Sequence, residues 1–440
     1  MPLEVALEAA EQLPTAVCII DENLTVPADR RVWHEAKALS EAGYRVSVIC
    51  PKAHGFERLH ETLEGIEIHR HPAWQGSTLL GYLLEYSWAL TIEFLLALRI
   101  YARTRFRILQ ACNPPDTIFL IALFFKLFGV RFVFDHHDPT PEFYCARFKR
   151  KGLIYCLALL AERLSFHVAD VTISTNETLR GIALARNGVS RGSSFVVRTC
   201  PDLDDFRRQP PQIELKLGRK YLVVYVGTMG TQDGLDLLIE SIDYLKAMGR
   251  KDVLFVLIGA GPELSRLKVR VTEVGFDGCV KFTGALFGAD LQAYLATADV
   301  GVAPDPSNVF NDKLTMIKIL EYMAYGMPVV LYDLPEGRQS AGGAALYAGG
   351  NDPRDFAQKM AQLLDSKSLR ERLGTVGRKR IIERLNWGIE RQTLLKAYQA
   401  AISNRASSLG PPRGSNNLPP SSDRITEGRA EAKKPIEGSS

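Results

Sequence analysis

Two doubly wound α/β domains facing a cleft are the architecture this sequence predicts. Three observations predict it. Short β-rich runs alternate with helical periodicity from end to end, the pattern restarts after a polar, proline-rich stretch at 201–218 (PDLDDFRRQPPQIELKLG), and 440 residues fit more than one domain. The first strand is Ala16–Asp21 (AVCIID). The loop NLTVPADRR leads into a helix over 29–42, where Val32, Trp33, Ala36 and Leu39 fall at helical spacing and Gly43 is placed to cap the end. Further strands are expected at 44–50, 65–69, 107–110, 131–135, 171–174 and 195–197, with apolar helices over 79–104, 115–128 and 151–168.

The second unit opens on YLVVYVG at 221–227. Its later strands fall at 253–259, 280–283, 300–304 and 328–332, and its helices at 234–248, 262–274, 288–297, 316–325 and 353–365. The expected division is a first domain over 1–205, a second over 206–385, a closing helix over 386–404, and a disordered tail over 405–440 rich in Ser, Pro, Gly and charge. Ligands of such sheets bind beyond the carboxyl ends of the strands, so the cleft is the expected site.

Composition narrows the function classes. Apolar residues make up 46% and charged residues 24%, enough for ordinary cores. A net charge of +4, from 54 basic and 50 acidic side chains, is too mild to argue for nucleic acid as partner. Seven scattered cysteines with no C-x-x-C pair fit reduced thiols in a cytosol. Residues 1–16 carry three acids and no basic n-region, so no signal peptide is expected. The apolar runs 79–100 and 117–134 are interrupted by Glu85 and Glu93 and by Lys126 and Arg131, which argues against a spanning helix.

Residues 311–330 read NDKLTMIKILEYMAYGMPVV. Thr315 is placed to cap a helix that runs to Tyr325, with Gly326 at the left-handed position and Pro328 as a stop. Free N–H groups near Met316 and Ile317 would then form an anion site. Lys318 in the first turn opposes the helix dipole unless an anion is near, and Glu321 follows on the same face. Spacing alone leaves an even choice between a solvated Lys–Glu pair and the wall of a site.

Asp135-His136-His137-Asp138 ends a predicted strand, where neighbours point to opposite sides. One histidine then faces the cleft to orient a substrate hydroxyl, or serves a structural role; a metal would need further ligands at suitable spacing. Gly227, Met229 and Gly230 (GTMG) follow the first strand of the second unit, and Gly259 opens a G-x-G turn. Glycines there allow close approach to a ligand or a tight turn. Leu264 stands where a dinucleotide fingerprint needs its third glycine, which counts against a nicotinamide or flavin enzyme. Asp29, Arg30 and Arg31 put two arginines at the mouth of the first sheet, suited to phosphate or to a solvated helix start. Arg147, Lys149, Arg150 and Lys151 precede the apolar run GLIYCLALLAERL, which suits an anionic membrane or a plain surface loop.

Together these residues resemble the family 4 glycosyltransferases with the GT-B fold, of the kind that builds bacterial polysaccharides. ATADVGVAPDP followed by NDKLTMIKILEYMAYGMPVVLYDLPEGRQSAGGAALYAGGNDP carries the likeness in the second half. NLTVPADRRVWHEAKALSEAGYRVSVICP, DHHDPTPEFYCARF and ADVTISTNETLR carry it in the first, so it covers most of 15–403. The resemblance implies a nucleotide-diphosphate sugar held by the second domain and a lipid-linked or saccharide acceptor held by the first. It implies retention of configuration, no metal and no cofactor beyond the substrate. It places the chain in the cytoplasm, with peripheral contact on the inner face of the plasma membrane.

Residue by residue, Glu321 matches the second glutamate of the E-x7-E motif, which holds the nucleotide ribose. The backbone at Thr315 and Met316 would meet the diphosphate, and Lys318 would add charge. His137 matches the cleft histidine near the transferred sugar, with Asp138 beside it. Gly227, Met229, Gly230 and Gly259 fall on the donor side. Three departures stand out. Lys313 occupies the first glutamate's position, with Asn311 and Asp312 the nearest polar residues. The loop NLTVPADRR lacks paired glycines, and GTMGTQDGLD lacks the usual Arg and Lys. The diphosphate clamp is then rebuilt from Lys313, Lys318 or Arg30, or donor binding is impaired and the chain is a scaffold of a polysaccharide assembly complex.

Overall fold

The computed structural model describes residues 14–73, 79–206 and 209–408. The segment read for a signal peptide lies largely outside these residues, as does the tail from 409. Residues 405–408, expected to begin the tail, instead complete the closing helix Trp387–Ser408.

The first sheet has eight strands in the order β3-β4-β2-β1-β5-β6-β7-β8. They are β1 (Ala16–Asp21), β2 (Arg45–Pro51), β3 (His60–Leu63), β4 (Ile66–His71), β5 (Ile108–Cys112), β6 (Arg131–His136), β7 (Val171–Ser174) and β8 (Ser194–Val196). All pairs are parallel except β3 with β4. Every residue of β1 is buried, as expected of a parallel strand covered by helices on both faces. β3 was not legible: HETL at the sheet edge alternates exposed and half-buried positions and carries little apolar signal.

The second sheet is wholly parallel, in the order β11-β10-β9-β12-β13-β14. Its strands are β9 (Tyr221–Val226), β10 (Val253–Ile258), β11 (Val280–Gly284), β12 (Val300–Ala303), β13 (Val329–Tyr332) and β14 (Ala345–Ala348). Strand order reverses between β1 and β5 and again between β9 and β12. Those reversals are the topological switch points where chain loops diverge and leave a crevice. The segment 115–128, expected as one helix, is a short 3-10 turn at Asp116–Ile118 followed by the helix Phe119–Lys126.

Two hydrophobic clusters sandwich each sheet. Helix Trp387–Ser408 follows the second domain in sequence, yet Trp387, Leu394, Ala397, Tyr398 and Ala401 belong to the first domain's core. Burying each large side chain contributes roughly 1.5–3 kcal/mol, so this helix ties the domains together strongly. The Tyr398 hydroxyl donates to Gln110 Oε1 on β5, and the Trp387 N–H donates to Pro201 O at 3.0 Å.

Gly259 shows why glycine ends β10. A Cβ there would lie 1.8 Å from the Gly227 carbonyl oxygen, and the residue's φ is +147°. The loops leaving β9 and β10 can meet this closely only without a side chain. The contact fixes Gly227 at the rim of the cleft.

Candidate active site in the interdomain cleft

The cleft encloses about 460 Å³ between the loops after β1 and β6 on one side and the loop after β9 and the helix Ile317–Ala324 on the other. His137 and Asp138 project from the end of β6 into it. Beneath them Asp135 is fully buried. Arg31 clamps it with two bonds, Nη2 to Oδ1 at 2.7 Å and Nε to Oδ2 at 3.1 Å. His137 Nε2 lies 2.7 Å from Oδ2 and 2.9 Å from Arg31 Nε, so both N–H groups donate to the one carboxylate. Burial opposes charge on His137, but the Asp135 charge and hydrogen bond outweigh it and raise the imidazole to about 9. Asp135 likewise resists burial and stays well below the usual carboxylate range because of Arg31 and His137.

His136 points the other way, as alternation in a strand requires. It is fully buried between the Phe134 and Phe166 rings, and burial pushes it down to about 3. It is the packing histidine of the pair. Asn113, after β5, fixes the loop: its Oδ1 accepts from the His137 N–H at 2.7 Å, and its Nδ2 donates to Asp138 O at 2.7 Å. Burial raises the Asp138 carboxyl, against the nearby His137 charge.

On the opposite wall, Ile317–Ala324 starts at Met316 with no side-chain cap. This corrects the expected Thr315 cap. The Thr315 hydroxyl is turned to the first domain, accepting from Asn176 Nδ2 at 3.2 Å, and faces Glu336 Oε2 at 3.5 Å. The uncapped first-turn N–H groups are left facing the cavity, which Met316 and Ile317 line. At the far end Gly326 is left-handed (φ +70°) and the Met327 N–H returns to Tyr322 O at 3.0 Å, the stop expected there.

Lys318 and Glu321 are not the solvated pair that spacing allowed. Both are buried and each has another partner. Lys318 Nζ lies 2.7 and 2.9 Å from the Asp305 oxygens and 5.0 Å from the Tyr225 ring centroid. Its Cε would be 3.2 Å from a Cβ at Gly227, so the ammonium sits beside the loop that lacks the family's basic residues. Glu321 forms an ion pair with Arg30 across the cleft. Burial raises its carboxyl, with Arg30 and Lys318 acting against that. Asp233 also lines the cavity, pushed up to about 6 by burial against the pull of Lys318. Neither Asp305 nor Asp233 was legible, since an aspartate in a strand-end loop is an ordinary turn residue.

The other expected residues divide between the cavity wall, which Asp29, Arg30, Arg31 and Gly227 line, and positions away from it. Lys313 is outside the cavity lining and donates to Val309 O at 3.1 Å. Asn311 is buried and bridges Gln232 O and Pro306 O. Asp312 accepts from Ser307 Oγ at 3.2 Å. Met229 is a core residue, Gly230 donates its N–H to Asp233 Oδ2, and Gly259 packs on Gly227. Of the four, only Gly227 reaches the cavity. Asp29 caps its own helix, accepting from the Val32 N–H at 2.9 Å. Arg31 is committed to Asp135, Glu35 and Val197 O, which leaves Arg30, its side chain 40% exposed, as the arginine open to the cleft.

Two family models match the chain: a glycosyl transferase 4-like domain over residues 28–199 and glycosyl transferases group 1 over residues 220–366. The chain belongs to this glycosyltransferase family. Among similar curated proteins, the MMP alpha-(1->4)-mannosyltransferase of Mycolicibacterium hassiacum is 29% identical over 62% of this chain and 66% of its own length. The lipopolysaccharide core biosynthesis glycosyltransferase LpsE of Rhizobium meliloti is 26% identical over 42% and 50%. The aligned part thus spans about half to two thirds of these relatives' length. The fold matches that of sucrose-phosphate synthase from Thermosynechococcus elongatus, with a TM-score of 0.73 at 17% identity over 89% of this chain and all of that one. It also matches Anabaena Alr3699/HepE in complex with UDP and glucose, with a TM-score of 0.66 at 16% identity over 89% and 99%. These likenesses establish the GT-B fold.

The His137–Asp135 pair makes a signed prediction. A histidine raised from 6.5 to about 9 stabilises the fold fully below pH 6.5 and loses that contribution as pH rises through 9. Histidine Cε1 NMR should show one ring titrating near 9 in the native chain. Asp135→Asn should bring it back toward or below 6.5 and cost roughly 3–5 kcal/mol by breaking the buried ion pairs with Arg31 and His137. A His137 that titrates near 6.5 in the native protein contradicts the network.

Proposed function

We propose that the chain is a retaining glycosyltransferase that moves a sugar from a nucleotide-diphosphate donor to a lipid-linked acceptor in cell-surface polysaccharide synthesis. One observation carries this reading: Lys318 and an uncapped helix start share a wall with Glu321, opposite a charged His137. Glu321 would accept from the ribose hydroxyls, as the E-x7-E match implies. The donor arriving there displaces Arg30, whose guanidinium then meets the diphosphate together with Lys318 and the helix N–H groups. This supplies the leaving group's charge stabilisation from side chains and backbone, without a metal ion. His137, charged at neutral pH, is a hydrogen-bond donor and not a base. Its role is to orient a hydroxyl of the transferred sugar.

The acceptor side favours a membrane. Leu120, Leu123 and Leu127 form one exposed stripe and Leu153, Leu157 and Leu160 another, on helices that pack together. Leu127 is 81% and Leu153 76% exposed. Exposed Arg147, Lys149, Arg150, Lys151 and Phe148 adjoin the second stripe. Exposed leucines on two neighbouring helices, with a basic stretch next to one of them in sequence, fit an anionic bilayer surface. Among the described residues no helix is long and apolar enough to cross a membrane. The scaffold reading rests on the absent Arg and Lys after β9, and Lys318 standing beside Gly227 weakens it.

Calorimetry with UDP and GDP separates these readings, because a scaffold binds neither. We expect one of them to bind, and Lys318→Ala and Glu321→Ala each to weaken it at least about tenfold, roughly 1.4 kcal/mol. Variants that keep full binding and transfer refute the site. For the membrane face, Leu153→Glu with Leu157→Glu should abolish sedimentation with phosphatidylglycerol vesicles while nucleotide binding persists. Unchanged sedimentation removes the acceptor assignment.

A further inference from the structure

We propose that the first domain holds a buried divalent metal ion, zinc by its donor set, on Glu22, His71 and Glu93. The site is distinct from the cleft chemistry. Glu22 follows β1, His71 ends β4, and Glu93 lies on the helix Leu79–Thr104 that packs across both strands. One ligand atom from each residue lies within 4.8 Å of the others. His71 Nε2 is 3.2 Å from Glu22 Oε2 and 3.9 Å from Glu93 Oε1. Around tetrahedral zinc, with bonds near 2.0–2.1 Å, ligand atoms sit about 3.3 Å apart, so an ion fits with little movement.

The histidine tautomer points the same way. His71 Nδ1 is 3.2 Å from the Pro72 carbonyl oxygen, which can only accept, so a proton on Nδ1 satisfies that contact and leaves Nε2 free to ligate. Nε2 is thereby aimed at the two carboxylates. This is the outer hydrogen bond that orients a ligating histidine.

The cluster is also unsatisfied. His71 is 1% exposed and its Nε2 has no hydrogen-bond partner among the described residues. Both oxygens of the fully buried Glu93, Glu22 Oε2 and Asp21 Oδ2 are in the same position. Buried carboxylates persist only when paired, protonated or coordinating. A proton shared between Glu22 and Glu93 serves two of the orphaned atoms. A divalent ion serves His71 Nε2, Glu22 Oε2 and both Glu93 oxygens, and balances two carboxylate charges. It would pin the start of the loop that carries Leu24, Asp29 and Arg30 into the cleft.

The test uses the full chain, purified without a metal-chelate column and stripped with chelator. We expect one equivalent of zinc by elemental analysis, a thermal midpoint that rises with added zinc, and a tetrahedral visible spectrum with cobalt(II). Glu93→Gln and His71→Ala should each weaken zinc binding at least tenfold; if His71→Ala does not fold, Glu22→Gln at the cluster's partly exposed edge is read in its place. Absence of zinc binding overturns the proposal. So does a Glu93→Gln chain that is more stable than the native one and indifferent to metal, which assigns the shared proton. Binding that survives Glu93→Gln but is lost in His60→Ala places the ion on the β3–β4 hairpin, beside Glu67 and His69, and also overturns it.

Discussion

The Asp135 carboxylate, charged in the interior of the first domain, is the contact on which the cleft depends. Isolated burial of such a charge is costly, and removing a partner leaves the cost uncompensated. Arg31 meets it from the first helix and His137 from the end of β6. Gln110 on β5 points its amide to the same carboxylate at 3.4 Å and to Glu35 at 2.6 Å. Arg31 also donates to Val197 O, beyond β8. One ion thus locks a helix, two central strands and the exit toward the second domain into a single arrangement. His137 is held charged and oriented in the cleft as a consequence.

The second domain answers with a helix start. Its anion-attracting end is left open because Thr315 is occupied by Asn176, and the Asn176 amide also bonds Lys313 O across the domain boundary at 2.8 Å. The cleft's charges are paired as they stand: Lys318 with Asp305, Arg30 with Glu321. Such pairing keeps buried charges tolerable before a ligand arrives, and exchange of partners is what a charged ligand would drive. A cation and an anion drawn from opposite domains also couple domain closure to occupancy of the site.

Much of the fold was legible in the sequence, because buried parallel strands read as apolar runs and their helices carry strong periodicity. β3 and β14 escaped because four-residue strands at sheet edges carry almost no pattern. The helix Ile317–Ala324 and its glycine stop were legible from local rules; alternation in the strand told that His136 and His137 face opposite ways, and only the family resemblance pointed to His137 as the one in the cleft. The partners were not. Nothing local says that Lys318 turns to Asp305, thirteen residues back, or that Arg30 reaches Glu321 nearly three hundred residues on. The partners of Arg31 and Lys313 were hidden for the same reason: a charged side chain's destination is set by tertiary packing. Lys313 turns back onto its own loop, and Arg31 is drawn inward by a carboxylate that only the folded sheet supplies.

The central claim is that a nucleoside diphosphate sits at the start of the helix Ile317–Ala324 with Lys318 and Glu321 beneath it. Hydrogen–deuterium exchange of the whole chain with and without UDP or GDP tests it most directly. The account predicts slowed exchange at the amides of residues 316–321 and in the loop 227–233, where the ligand would cover the helix start and Gly227. Unchanged exchange at both segments under saturating nucleotide, or protection confined to other parts of the chain, would contradict it.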